Sequence, residues 1–133
     1  MQPLGVLEAS LYVDDLAAAE AFYSEVLGLE FHRRQEGRHV FFRCGGTMVL
    51  LFHPASTNDE DEEVPRHGCK GPGHLCFAVE PSTLAAWRDR LQSKGVAIEQ
   101  EIDWPHGGYS IYFRDPAGNS LELATPSLWQ SDA

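Results

Sequence analysis

The sequence predicts an α+β fold of two βαβββ modules. Each module is a curved mixed sheet with its helix on the convex side, and the concave side is left free to hold a metal or ligand. Three observations predict this. The order strand, helix, three strands occurs twice, with Glu8 aligning on His74 at an offset of 66 and Gly28-Leu29 on Gly95-Val96 at 67. The strands run in threes joined by tight turns, whereas a doubly wound parallel sheet requires helices between most strands. Between the halves lies a stretch with almost no apolar residues that contains Asp59-Glu60-Asp61-Glu62-Glu63. Consecutive carboxylates repel one another and lack the glycine turn and spaced oxygens of a calcium loop, so residues 54–73 read as a solvated acidic linker. Residues 1–133 then form one domain, with modules over 7–53 and 74–125.

Taken in order, Leu7–Val13 opens the first module as a strand, with Leu7, Ala9, Leu11 and Val13 on one face and Glu8, Ser10 and Tyr12 on the other. Asp15 is a helix cap, Leu16, Ala19, Phe22, Tyr23, Val26 and Leu27 form the apolar stripe, and Gly28 ends the helix. Strands follow over about Leu29–Arg34, Arg38–Cys44 and Thr47–His53, separated by Glu36-Gly37 and Gly45-Gly46. The second module repeats this with a strand at His74–Val79 and a helix from a Ser82 cap to about Ser93. Strands near Val96–Ile102, Gly108–Arg114 and Ser120–Thr125 complete it.

Composition narrows the function. With 133 residues, 10 Lys+Arg and 20 Asp+Glu, the net charge is −10, which repels phosphate backbones and anionic membranes; nucleic-acid and membrane binding are not expected. No apolar run approaches the roughly 18 residues needed to span a bilayer, and MQPLGVLEAS lacks the basic and apolar regions of a signal peptide. Cys44, Cys69 and Cys76 are odd in number and have no CxxC spacing, which fits reduced thiols. A soluble, unexported, cytoplasmic protein acting on small molecules is expected.

The motifs Leu11-Tyr12-Val13-Asp14-Asp15-Leu16, Phe22-Tyr23, Leu27-Gly28, His74-Leu75-Cys76-Phe77 and Tyr112-Phe113-Arg114-Asp115-Pro116-Ala117-Gly118-Asn119-Ser120-Leu121-Glu122-Leu123 carry a resemblance over about Leu7 to Ala124. The chain resembles the vicinal oxygen chelate superfamily, the glyoxalase, bleomycin-resistance and extradiol-dioxygenase fold. That resemblance implies the fold far more specifically than the reaction, because the family uses one scaffold for isomerases, epimerases, dioxygenases, thiol transferases and drug-sequestering proteins. It also implies a homodimer in which modules pair between chains and cover open sheet edges.

Glu8, His74 and Glu122 occupy matched strand positions on faces with small or polar neighbours and can converge. Two carboxylates and an imidazole suit a hard or borderline divalent cation with positions left for water or substrate. In the resembling family the metal ligands lie at these positions, although Glu8 stands where histidine is most common. A fourth family carboxylate, on the last strand of the first module, falls on Val49, and His53 at that strand's end reads as a rim residue. The single histidine with two carboxylates departs from the two-histidine iron site of extradiol dioxygenases and favours Mn or Mg, with Fe, Zn and Ni also open. Either Tyr109 or Tyr112 can join Glu122 as a catalytic group, since the two lie on opposite strand faces. Pocket candidates are Tyr12, His53, Cys76 and Trp104, with Cys76 a packed small residue and Trp104 on a glycine-bearing loop at the cavity mouth. Alternation leaves open which of Arg38 or His39 and Arg43 line the first module's cavity. The expected function is a metal-dependent lyase, isomerase or dioxygenase that chelates adjacent oxygens of a small substrate. The alternative is a metal-free, bleomycin-resistance-like drug-binding protein with an acidic groove.

Overall fold

The computed structural model describes residues 1–58 and 64–130. The acidic run Asp59–Glu63 lies outside the described residues. The chain divides into two compact units, Met1–Gly73 and His74–Ala133.

The first unit contains β1 (Glu8–Tyr12), α1 (Leu16–Glu25), β2 (Glu30–Gln35), β3 (His39–Cys44), β4 (Thr47–Phe52) and a short α2 (Pro54–Thr57). Its sheet runs β1-β4-β3-β2, with β1 parallel to β4 and the other pairs antiparallel. The Asp15 carboxylate accepts the Ala18 N–H at 3.0 Å and so starts α1, while Gly28, at φ 69°, turns the chain out of it. Apolar spacing then buries Ala19 and Tyr23 against Leu11, Val13, Val40, Phe42 and Leu51, all at most 4% exposed. Leu7, assigned to the strand by alternation, is exposed and outside it, because the ladder to β4 begins at Glu8.

The stretch expected to be solvated linker is structured at both described ends. His53 Nδ1 accepts the Ala55 N–H and caps α2, Thr57 is buried, and the His67 N–H donates to the Thr57 carbonyl at 3.0 Å. His53 is therefore a helix cap.

The second unit contains β5 (His74–Ala78), α3 (Leu84–Ser93), β6 (Gln100–Asp103), β7 (Tyr109–Arg114) and β8 (Ser120–Ala124), with 3₁₀ turns at Pro81–Thr83 and Pro126–Trp129. The sheet order β5-β8-β7-β6 reproduces the first unit, again with a parallel first pair. Ser82 lies inside the first 3₁₀ turn rather than capping the helix, because Pro81 starts that turn one residue earlier. Leu91 anchors α3 in a core with Ile111, Phe113, Leu121 and Leu123, all at most 1% exposed. β6 begins at Gln100, later than periodicity suggested, although Glu99 already donates its N–H to the Tyr112 carbonyl.

The Asp115–Asn119 segment shows what its motif does. Asp115 is buried, and its Oδ1 accepts the N–H groups of Ala117 and Asn119 at 3.0 and 2.9 Å while its Oδ2 accepts the Asn119 side-chain amide at 2.9 Å. The turn is locked by one carboxylate, which fixes the register in which β8 returns beside β7. Among the described residues no helix is long and apolar enough to cross a membrane.

Candidate metal-binding site

Register places the chemistry of the second unit on one sheet face. Glu122 on the inner strand β8 lies between Cys76 of β5 and Tyr112 of β7, its paired neighbours. His74 lies two residues before Cys76, and Ser110 two before Tyr112, so the period of two brings all five side chains to the same side. The opposite side carries Leu121, Leu123, Ile111 and Phe113, which account for the core.

Glu122 is buried, at 5% exposure for the residue, yet both its carboxylate oxygens are engaged by distinct groups. Ser110 Oγ, fully buried, donates to Glu122 Oε2 at 2.5 Å, and Trp104 Nε1 donates to Ser110 Oγ at 2.8 Å. Glu122 Oε1 lies 3.3 Å from His74 Nε2. On its other side the imidazole is oriented by the Ser120 carbonyl, 2.9 Å from Nδ1. A carbonyl oxygen can only accept, so Nδ1 carries a proton, and in the neutral ring Nε2 is a bare lone pair facing a carboxylate lone pair. Two lone pairs at that distance call for a shared proton or a cation. With the His74 side chain half exposed, the pair opens to solvent on one side.

The surrounding groups are held in their protonated forms. Burial, then the negative charge of Glu122 and the hydrogen bond to it, raise the Tyr112 hydroxyl above its ordinary range. Cys76 has an accessible side, but desolvation of its sulfur, with the charge and hydrogen bond of Glu122, pushes the thiol up to about 12. It is a neutral donor rather than a thiolate nucleophile. Tyr112 also lies over His74, ring centroids 6.5 Å apart and 23° between planes. Tyr112 is thus the tyrosine on the Glu122 face. Tyr109 points to the helix-bearing face, where its hydroxyl donates to Glu101 and the Arg88 guanidinium of α3 lies over its ring.

Trp104 is held by its own turn. Its turn is closed by the Trp104 N–H donating to the Gly108 carbonyl and the Gly107 N–H donating to the Trp104 carbonyl. Gly108, at φ 92°, passes so close to Leu128 that a Cβ would sit 2.7 Å from its backbone. The glycine permits close approach more than motion, and Trp104 is an anchor for Ser110.

In the first unit the matching face is aromatic. Glu8 and Ser10 are exposed on β1, followed by Tyr12, whose hydroxyl lies 2.6 Å from His67 Nδ1 and is pushed up by burial and then by Cys69. His39 stacks on Phe41 at 4.0 Å and 9°, and Phe52 meets His39, Phe41 and His67 edge-on. His39 and Phe41, with Arg43, are thus the members of β3 on the Tyr12 side, while Val40 and Phe42 are core. The pairs Glu8 with Met48 and His74 with Ser120 make Leu50, not Val49, the counterpart of Glu122. The shift arises because a two-residue turn joins β3 and β4 where five residues join β7 and β8. Either residue is apolar, so no fourth carboxylate exists there. Among the described residues no group of three His, Cys, Asp or Glu side chains is placed to hold an ion.

Ser110 and His67, bonded to Glu122 and Tyr12, are the neighbours of the candidate residues that sequence reasoning valued least. Ser110 could be found only as a same-face partner of Tyr112, and His67 lies in a stretch without periodicity.

A family model described as the glyoxalase/bleomycin resistance protein/dioxygenase superfamily matches residues 5–123. The chain belongs to this superfamily. Vicinal oxygen chelate proteins, as its members are also called, include metal-dependent enzymes acting on small molecules. The chain is 32% identical over 119 residues to glutathione transferase FosA of Serratia marcescens, covering 90% of this chain and 79% of that protein. It is 28% identical over 126 residues to metallothiol transferase FosB of Staphylococcus haemolyticus, covering 93% and 85%. Among solved structures, one described as lactoylglutathione lyase from Agrobacterium tumefaciens superposes with a TM-score of 0.93 at 42% identity, covering 98% of this chain and all of that one.

Proposed function

We propose that this chain is a metal-dependent enzyme in which His74 and Glu122, with Glu8 as third ligand, hold a divalent ion that activates a small substrate bearing adjacent oxygens. One observation carries the reading: His74 Nε2 and Glu122 Oε1 face each other at 3.3 Å with the other imidazole nitrogen committed to the Ser120 carbonyl. That is the tautomer and orientation a metal-binding histidine takes from its outer partners. Oxygen and imidazole donors of this kind favour Mn or Mg and admit Fe, Zn and Ni. When bound, the ion supplies Lewis-acid polarisation of the substrate oxygens.

The chain's own residues do the rest. Tyr112, kept protonated beside Glu122, donates a hydrogen bond to a substrate oxygen as charge develops on it. Cys76 adds a neutral donor to the wall. Glu8, exposed on the edge strand β1, is proposed to reach the site in a homodimer, from a second copy. The names of FosA and of the lyase neighbour both include glutathione, and that of FosB a thiol, which supports a thiol-bearing substrate or co-substrate. The thiol comes from that partner, because Cys76 is too weak an acid to serve.

The aromatic wall of Tyr12, His39, Phe41, Phe52 and His67 favours a second reading, a metal-free drug binder. Measuring Mn²⁺ content and glutathione-dependent turnover of small epoxides and α-ketoaldehydes separates the two. The enzyme reading expects turnover that chelation removes and Mn²⁺ restores; ligand binding indifferent to chelation, without turnover, would establish the binder.

A further inference from the structure

We propose that Ser110 and Trp104 are positioning residues that make Glu122 a one-oxygen ligand and thereby select the cation; this rests on the metal reading above. The direction of the hydrogen-bond chain is fixed by its chemistry. An indole N–H can only donate, so at 2.8 Å Ser110 Oγ accepts from Trp104. The single hydroxyl proton of Ser110 is left for Glu122 Oε2, 2.5 Å away and out of solvent. A short donor bond to a carboxylate is of the stronger, charge-assisted kind. Oε2 is thus turned toward β7, and Oε1 alone faces His74.

With one lone pair of Oε2 committed to Ser110 and that oxygen drawn toward β7, the carboxylate presents Oε1 to an ion more readily than both oxygens equally. The consequence falls unequally on different cations. Calcium, large and tolerant of irregular shells, gains from bidentate carboxylates, whereas magnesium and similarly small ions take single oxygens in an octahedral shell. The bond from Ser110 therefore disfavours calcium relative to manganese. Trp104 can enforce this because it is itself fixed: its turn is closed by two backbone hydrogen bonds and packed through Gly108 against Leu128. The fluorescence of Trp104 should report the state of the carboxylate two bonds away.

The test uses the full-length chain titrated with Mn²⁺ and, in competition, Ca²⁺. In Ser110→Ala, Mn²⁺ affinity is expected to fall about 10- to 100-fold, the usual effect of losing an outer partner. Ca²⁺ affinity should fall less or rise, so that the Mn²⁺/Ca²⁺ affinity ratio drops by about tenfold. Trp104→Phe, which keeps the hydroxyl and removes only its donor, should shift the ratio the same way by about threefold and abolish the Zn²⁺-induced change in tryptophan emission expected of the parent. If Ser110→Ala does not fold, Trp104→Phe decides alone. Equal losses for both cations, leaving the ratio unchanged, would overturn the proposal and leave Ser110 a purely structural residue. Glu122→Ala separates the two levels: if it binds Mn²⁺ as tightly as the parent, the metal reading itself fails and this proposal with it.

Discussion

The two modules share strand order, parallel first pair and helix placement, yet their matching faces differ almost residue by residue. Where the second has His74, Cys76, Ser110, Tyr112 and Glu122, register gives the first Glu8, Ser10, His39, Phe41 and Leu50. One face is organised by hydrogen bonds converging on a buried carboxylate, the other by ring stacking around Phe52. The difference teaches that the repeat is preserved by the core-facing side alone. Tyr23, Phe42 and Leu51 in one unit and Leu91, Phe113 and Leu123 in the other fill equivalent space, which leaves the opposite sheet faces free to diverge.

The largest expected effect breaks the comparison outright. Glu122→Ala should reduce Mn²⁺ affinity by more than about 100-fold, measured by calorimetric titration, with the fold retained because Leu121 and Leu123 keep their packing. Its counterpart Leu50→Ala should leave metal affinity unchanged and cost about 2–5 kcal/mol in denaturant unfolding. Replacing Asp115 by Ala strands three donors and should cost about 2–3 kcal/mol, whereas the two-glycine turn of the first unit has no comparable anchor. Tyr112→Phe should lower kcat by about 10²-fold without changing metal affinity.

How much of this was legible in the sequence follows from the same asymmetry. Alternation and turn residues located the strands and singled out His74 and Glu122, because an acid or imidazole at a period-two position between core residues is conspicuous. Tyr109 and Tyr112 could not be separated, since strand phase depends on which neighbour the sheet supplies. The partners of Glu122 were hidden for a different reason: Ser110 and Trp104 act through long-range pairing. The segment around His67 has no periodic pattern, yet it returns to Tyr12 by individual hydrogen bonds.

The smallest expected effect concerns the aromatic face. Burial, with Arg38 and Arg33 nearby, lowers the His39 pKa below its ordinary 6.5, and its buried Nδ1 has no partner among the described residues. As pH falls the unfolded chain takes up this proton first, so stability is full above about 6.5 and declines as pH falls toward the lower folded value. His39→Gln should flatten that decline in thermal melts at pH 5 to 7; an unchanged slope would place its origin elsewhere.

Anomalous diffraction from crystals grown with Mn²⁺ would locate an ion held by His74 and Glu122. One strong peak is expected between His74 Nε2 and Glu122 Oε1, about 2.0–2.3 Å from each, with Glu122 Oε2 still bound to Ser110. A map without a peak there, and with the two atoms still facing each other directly, would contradict the metal reading.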